Sequence, residues 1–198
     1  MSTLTKKVLE FVEAQPEGAP IAARGLLHLS NRAALDQTLS RLTRRGELMR
    51  VGRGVYVRPI KTKYGVRSPL PEKVVSELIA RGETIISNGA AAANALGLTQ
   101  QVPVKTIYLT SGPSRNLTLG KQSIELRHAK PWQLAKANER PGQVARALGW
   151  LGPEQADRAL TTVQLQLTQK ELSELQQLRS VLPGWMAQKV SNTLHANG

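Results

Sequence analysis

Gln37, Ser40, Arg41 and Arg44 follow one another at steps of three, one and three residues, a spacing that gathers them along one side of a helix. Glutamine can bridge an adenine edge, serine can donate or accept, and arginine suits guanine or phosphate, while Ala33 on the same side can meet a thymine methyl. The chemistry offered is hydrogen-bonded readout of a duplex rather than bond breaking. Arg53 stands between Gly52 and Gly54, where a turn would carry its guanidinium toward phosphate or a minor groove. Arg32, at the head of the same stretch, completes the candidate DNA-binding set of Arg32, Gln37, Ser40, Arg41, Arg44 and Arg53.

Such a face needs a helix pinned by its other side. Leu35, Leu39 and Leu42 recur at i, i+4 and i+7 and supply the apolar stripe. Ser30 is the expected N-cap, and Gly46 the expected C-terminal stop behind Arg44 and Arg45, which complement the helix dipole. Leu48 to Val51 then reads as extended, Gly52-Arg53-Gly54 as a turn with freedom at positive φ, and Val55 to Val57 as the returning strand. Upstream, Leu4, Val8, Phe11 and Val12 mark a first helix, residues 16–20 break it, and Ile21 to Leu27 reads as a short second helix. Three helices followed by a hairpin is the winged-helix order, whose last helix enters the major groove. Some winged helices dock proteins instead.

Charge favours the nucleic acid. Residues 41–67 hold nine basic side chains (Arg41, Arg44, Arg45, Arg50, Arg53, Arg58, Lys61, Lys63 and Arg67) against Glu47 alone, and the chain of 198 residues carries a net charge of +13. That balance draws a polyanion through counterion release and steering. The cations lie on a wing and linker rather than on a helix with a bulky apolar face, which disfavours a membrane surface. Seven aromatic residues in all are too few and scattered to stack single-stranded bases.

The expected fold class is α+β, with a winged-helix DNA-binding domain at residues 1–59, a linker at 60–71 (IKTKYGVRSPLP, without sustained periodicity) and a mixed α/β second domain at 72–198 whose last third is helical. Within the second domain, Glu72 to Arg81 and Asn88 to Leu96 read as helices. Thr84 to Ser87, Val104 to Thr110, the stretch holding Leu117 and Leu119, and Ser123 to His128 read as strands. From Pro141 the pattern is helical, broken at Gly152-Pro153 and Pro183-Gly184.

Other chemistries find little footing. The chain has no cysteine, which removes disulfides and thiolate sites and suits an intracellular compartment. His28, His128 and His195 lack metal-ligand spacing, so no metal or other cofactor is expected. Ser111-Gly112-Pro113-Ser114-Arg115 lacks the lysine and spacing of a P-loop and reads as a turn. The acids are scattered singly, which argues against metal-assisted phosphoryl chemistry, and no enzyme is expected. Trp132, Trp150 and Trp185 are expected to pack the second domain. No apolar run approaches a membrane span and MSTLTKKVLEF has no signal-peptide core, so a cytoplasmic location is expected.

TLSRLTRRGELMRVGRGVYVRP followed by SNGAAAANALGLTQQVPVKTIYLTSGPSRNLTLGKQSIELRHA resembles the AbiEi-type antitoxins of type IV toxin-antitoxin systems and their AbiEi-like regulator relatives, over roughly residues 3–195. The wing is shared among winged helices; GAAAANALGL, TQQVP and YLTSGPSR are more specific. The resemblance implies a winged helix that binds inverted repeats in its own promoter and represses transcription. It also implies a C-terminal domain, from about Pro71, that neutralises a nucleotidyltransferase-like toxin without an assumed stable complex. Carried onto this chain, DNA contacts would fall to Gln37, Ser40, Arg41, Arg44 and Arg53. A stand-alone transcriptional regulator with the same DNA chemistry and no toxin is the alternative.

Overall fold

A computed structural model describes residues 3–102 and 104–195, with Leu194 and His195 described by backbone alone. Pro103, the last residue of TQQVP, and the His195 side chain lie outside the described residues. In chain order the elements are α1 (Thr3–Glu13), β1 (Ile21–Ala22), α2 (Arg32–Arg44), β2 (Met49–Gly52), β3 (Val55–Val57), β4 (Ile60–Thr62), β5 (Gly65–Arg67), α3 (Pro71–Ala80) and β6 (Ile85–Ser87). There follow α4 (Gly89–Ala95), β7 (Thr106–Thr110), β8 (Arg115–Leu119), β9 (Gln122–His128), α5 (Pro131–Leu134), α6 (Arg140–Leu151), α7 (Pro153–Gln164), α8 (Gln169–Gln177) and α9 (Gly184–His195). The mixture is consistent with the α+β class.

Contacts divide the chain into two compact units, residues 1–83 with 115–125 and residues 84–114 with 126–198. This division runs differently from the one composition suggests, because β8 and α3 group with the N-terminal residues. Segment 60–71, expected as a linker, contains the antiparallel pair β4–β5.

In the first unit, Val8 and Val12 of α1 meet Leu35, Leu39 and Leu42 of α2, together with Ile21, Leu26, Leu48 and Tyr56. The α2 leucines are fully buried, as the apolar periodicity requires. Asn31, one residue later than expected, is the N-cap, its side-chain oxygen accepting from Ala34 N at 3.0 Å. At the other end Gly46 sits at φ +70°, while Gly46 N donates to Thr43 O at 3.0 Å and Glu47 N to Leu42 O at 3.0 Å. These are the paired bonds of a Schellman stop.

Ile21 to Leu27 is not a second α-helix. Ile21 and Ala22 pair with Tyr56 and Val55 of β3, and residues Ala23–Leu26 form a single 3-10 turn. The Ala23 N–H donates to Gly54 O at 2.8 Å, so the strand edge satisfies an N–H that the first turn of a helix would leave without an internal acceptor. The resulting sheet has the order β1-β3-β2.

Gly52 also plays a different part from the expected one. It is Gly54, at φ +66°, that needs the left-handed region. A Cβ at Gly52 would stand 2.9 Å from Asn116 O and 3.2 Å from Leu117 Cδ2 of β8, so its bare Cα lets β2 lie close against β8. Gly52→Ala is therefore expected to lower stability by about 1–3 kcal/mol, read from the midpoint of a urea transition; an unchanged midpoint would dismiss the close approach. Farther along, α3 buries Val74, Val75 and Leu78, and the guanidinium of Arg81 donates to Pro20 O and Gln15 Oε1, each at 2.8 Å.

The second unit is built on α4 and α6. Asn88 caps α4 through Ala91 N at 2.9 Å, and Gly89 allows close approach because a Cβ there would meet Arg146 O and Trp150 Cβ at 2.6 Å. Around this contact Ala92, Ala93, Leu96, Val144 and Leu148 join Leu160, Val163, Leu175, Met186 and Val190 in one core. Trp132 and Trp185 pack half-buried against it, but Trp150 is 42% exposed. β6 and β7 pair antiparallel, with Ile86 opposite Leu109.

Arg146 of α6 is 4% exposed and has no acidic partner among the described residues. Its Nη1 donates to Gln133 O at 3.3 Å and its Nη2 to Ala137 O at 3.1 Å, while burial pulls its pKa down to about 10. The side chain clamps the loop after α5, where Lys136 holds φ +50°.

Candidate nucleic-acid interface

α2 turns Ala33, Gln37, Ser40 and Arg44 to solvent, with Asp36 and Arg41 also exposed. Burial of the three leucines sets this orientation, so the side chains able to bond outward are those the core does not use. Among the described residues, Gln37, Ser40 and Arg44 make no side-chain hydrogen bond or ion pair within the chain. Arg41 donates from Nη2 to Thr38 Oγ1 at 3.3 Å, a weak tether. Arg32 differs: its Nε lies 2.9 Å from Asp36 Oδ2 in an exposed pair one turn along the helix. The structure thus groups Gln37, Ser40, Arg41 and Arg44, and holds Arg32 along the helix surface.

Arg53 occupies the tip between β2 and β3, exposed and without a partner among the described residues. Strand pairing sets Met49 opposite Val57, Arg50 opposite Tyr56 and Gly52 opposite Val55, with a bulge that takes Val51 out of register. Val51 is buried, while the Arg50 Nε folds back to Gly52 O at 3.3 Å. Tyr56, in the middle of β3, belongs to the same core as Leu39 and Leu42. Hairpin and helix are thereby anchored in one packed cluster.

Of the nine cations in 41–67, Arg58 is half-buried and the other eight are exposed. None is paired with a carboxylate among the described residues. Nine cations against one acid over so short a segment raise the local positive potential. Three of these, Lys61, Lys63 and Arg67, lie on β4–β5 or its turn. Periodicity does not single them out, because both faces of that hairpin are wet.

Alternative sites are less well formed. The Ser111 to Ser114 turn spends its polar groups on the chain itself: Ser111 Oγ accepts from Thr84 N at 2.9 Å, Ser114 Oγ from His128 N at 2.8 Å, and Gly112 N donates to Thr110 Oγ1 at 3.0 Å. Ser111 N also donates to Thr84 O at 2.9 Å, so the N–H groups of Ser111 and Gly112 are not free to line an anion-binding concavity. His28 packs on Phe11 with ring centroids 6.0 Å apart. Among the described residues no group of three or more metal-ligating side chains gathers, and no helix is long and apolar enough to cross a membrane.

A family model described as "Family of unknown function (DUF6088)" matches residues 7–175. No curated protein matches the chain.

Proposed function

The chain belongs to the DUF6088 family, and on that premise we propose that it is a double-stranded-DNA-binding protein with an N-terminal winged helix-turn-helix, acting as an AbiEi-type antitoxin that represses its own operon. One observation carries the DNA reading: the outward face of α2 leaves Gln37, Ser40 and Arg44 unbonded beside a hairpin tipped by Arg53, in a segment whose cations lack acidic partners among the described residues. Gln37, Ser40 and Arg44 read base edges in the major groove, and Arg41 and Arg53 hold phosphate or the minor-groove edge. Arg32, already engaged by Asp36, contributes little.

The antitoxin half is supported by the resemblance of GAAAANALGL, TQQVP and YLTSGPSR. It assigns neutralisation of a nucleotidyltransferase-like toxin to the C-terminal part of the chain, and the cytoplasm as the place where both toxin and promoter are met.

Titration of the full chain against a duplex from its own upstream region, at two salt concentrations, tests the DNA reading. With about five phosphate contacts, raising salt from about 50 to 200 mM weakens binding roughly 100- to 1000-fold. No binding at the lower salt concentration refutes the reading. Co-expression with a neighbouring nucleotidyltransferase-like gene tests the other half: restored growth supports the antitoxin, and unrelieved toxicity leaves a stand-alone regulator.

A further inference from the structure

Segment 60–67 forms a ribbon. β4 and β5 pair as Ile60 with Arg67, Lys61 with Val66 and Thr62 with Gly65, closed by Lys63 and Tyr64. Thr62 Oγ1 donates to Gly65 O at 2.9 Å and accepts from Tyr64 N at 3.2 Å, and Lys63 Nζ stands 4.9 Å from the Tyr64 ring centroid. From Lys61 to Arg67 every residue is exposed, Tyr64 by 87% and Val66 by 57%. A two-stranded ribbon that lays no face on a core is marginal by itself, so what it presents outward has to be explained by what it meets.

We propose that this ribbon is a second DNA-contacting element, with Lys61, Lys63 and Arg67 along the sugar-phosphate backbone beyond the stretch met by α2 and Arg53, and Tyr64 packed on sugars or base edges. The inference rests on the DNA reading above. Charge complementarity selects the occupant: the ribbon holds three cations and no acid, and none of the three is ion-paired among the described residues. One tyrosine and one valine are too little apolar surface to anchor in a bilayer. A two-stranded ribbon fits a groove of B-DNA, and an apolar ring can rest on sugar or base edges there. Reach is also suitable, since Tyr64 is eleven residues beyond Arg53, at most about 40 Å of chain and so within about one helical turn of the duplex.

The test uses the full chain, a duplex of about 40 base pairs from its upstream region, fluorescence anisotropy over a salt series, and hydroxyl-radical footprinting. The triple variant Lys61→Gln, Lys63→Gln, Arg67→Gln is expected to bind about 10- to 100-fold more weakly, with the log-log salt slope reduced by about 2–3 and the footprint shortened at one end. Tyr64→Ala is expected to weaken binding about 3- to 10-fold with the slope unchanged. Should the triple variant lose its native circular dichroism, Lys63→Gln alone, with a slope loss of about 0.9, decides the matter. If the wild type binds and these variants keep its affinity, slope and footprint, the ribbon proposal is overturned while the DNA reading stands. If the wild type binds no duplex at low salt, both fall together.

Discussion

Duplex affinity is expected, on the DNA-binding proposal, to fall about 100-fold when Arg44 and Arg53 are both replaced by alanine, each removed guanidinium costing about 1.4 kcal/mol of binding, in the lower part of the range for such contacts. The two side chains leave different signatures. Arg44 lies on the outward face of α2 with Gln37 and Ser40, where the loss of the proposed base-edge contact would relax preference at one position of the duplex. Arg53 tips a hairpin, where the loss of the proposed phosphate contact would weaken all sequences alike and lower the salt slope by about 0.9. Both residues are exposed and without partners in the described chain, so neither substitution takes contacts from the core. Arg32→Ala is the internal comparison: its guanidinium already rests on Asp36, and its removal is expected to change affinity less than about 3-fold, since an exposed i,i+4 pair is itself worth only about 0.3–0.5 kcal/mol. Anisotropy titrations over a salt series, with duplexes altered one position at a time, read all three. A double variant that binds as the wild type does would refute the assignment of these arginines.

Gly142→Ala is expected to cost about 4 kcal/mol or more, a drop of roughly 10–15 °C in the melting temperature for a chain of this size. One methyl produces so large an effect because of what lies above it. A Cβ at position 142 would come 2.1 Å from Lys136 O and 2.5 Å from Ala135 O, both backbone atoms that cannot rotate away. The loop that carries them is held by Arg146 through Gln133 O and Ala137 O and already places Lys136 at φ +50°. Displacing it takes those two acceptors from a guanidinium that is nearly out of water, and an unmatched buried charge is among the most costly of single defects. Arg146→Ala reaches the same loop from the other side and is expected to lose about 2–4 kcal/mol, with two carbonyls left short of donors. Thermal unfolding followed by circular dichroism checks both; a Gly142→Ala protein melting within about 3 °C of the wild type would contradict the close approach.

The parts of the fold legible from sequence are those governed by short-range periodicity. Leu35, Leu39 and Leu42 announce the buried side of α2 and thereby its open side, because a helix repeats every 3.6 residues whatever it packs on. Gly46 announces the stop for an equally local reason, a backbone angle that glycine adopts freely. Ile21 and Ala22 mislead because their partner, β3, lies more than thirty positions away, and nothing within a helical window records that pairing. The ribbon at 60–67 escapes notice because alternation marks a strand only when one of its faces is dry, and β5 is exposed throughout. Gly52 shows a further limit: next to Arg53 and Gly54 it reads as turn chemistry, whereas its absent side chain answers to Asn116 and Leu117. Of the candidate side chains, sequence pattern finds Gln37, Ser40, Arg44 and Arg53 as exposed groups without partners in the described chain. It has no means of seeing that Arg32 is occupied by Asp36.

The return of residues 115–125 to the first unit has a consequence for how the protein is made. When residue 83 leaves the ribosome, β2 still lacks the strand that Gly52 is shaped to receive. At about 5–20 residues per second, the wait from residue 83 to residue 125 lasts roughly 2–8 s. Over that interval the Gly52 edge of β2 stays without β8 on a nascent chain whose cations are already displayed to the polyanionic ribosome and message. A gene cut after residue 71 or 83 makes that interval permanent. Expressed alone, the N-terminal segment is expected to be a stalled intermediate, with the β2 edge open to aggregation, rather than a smaller version of the first unit.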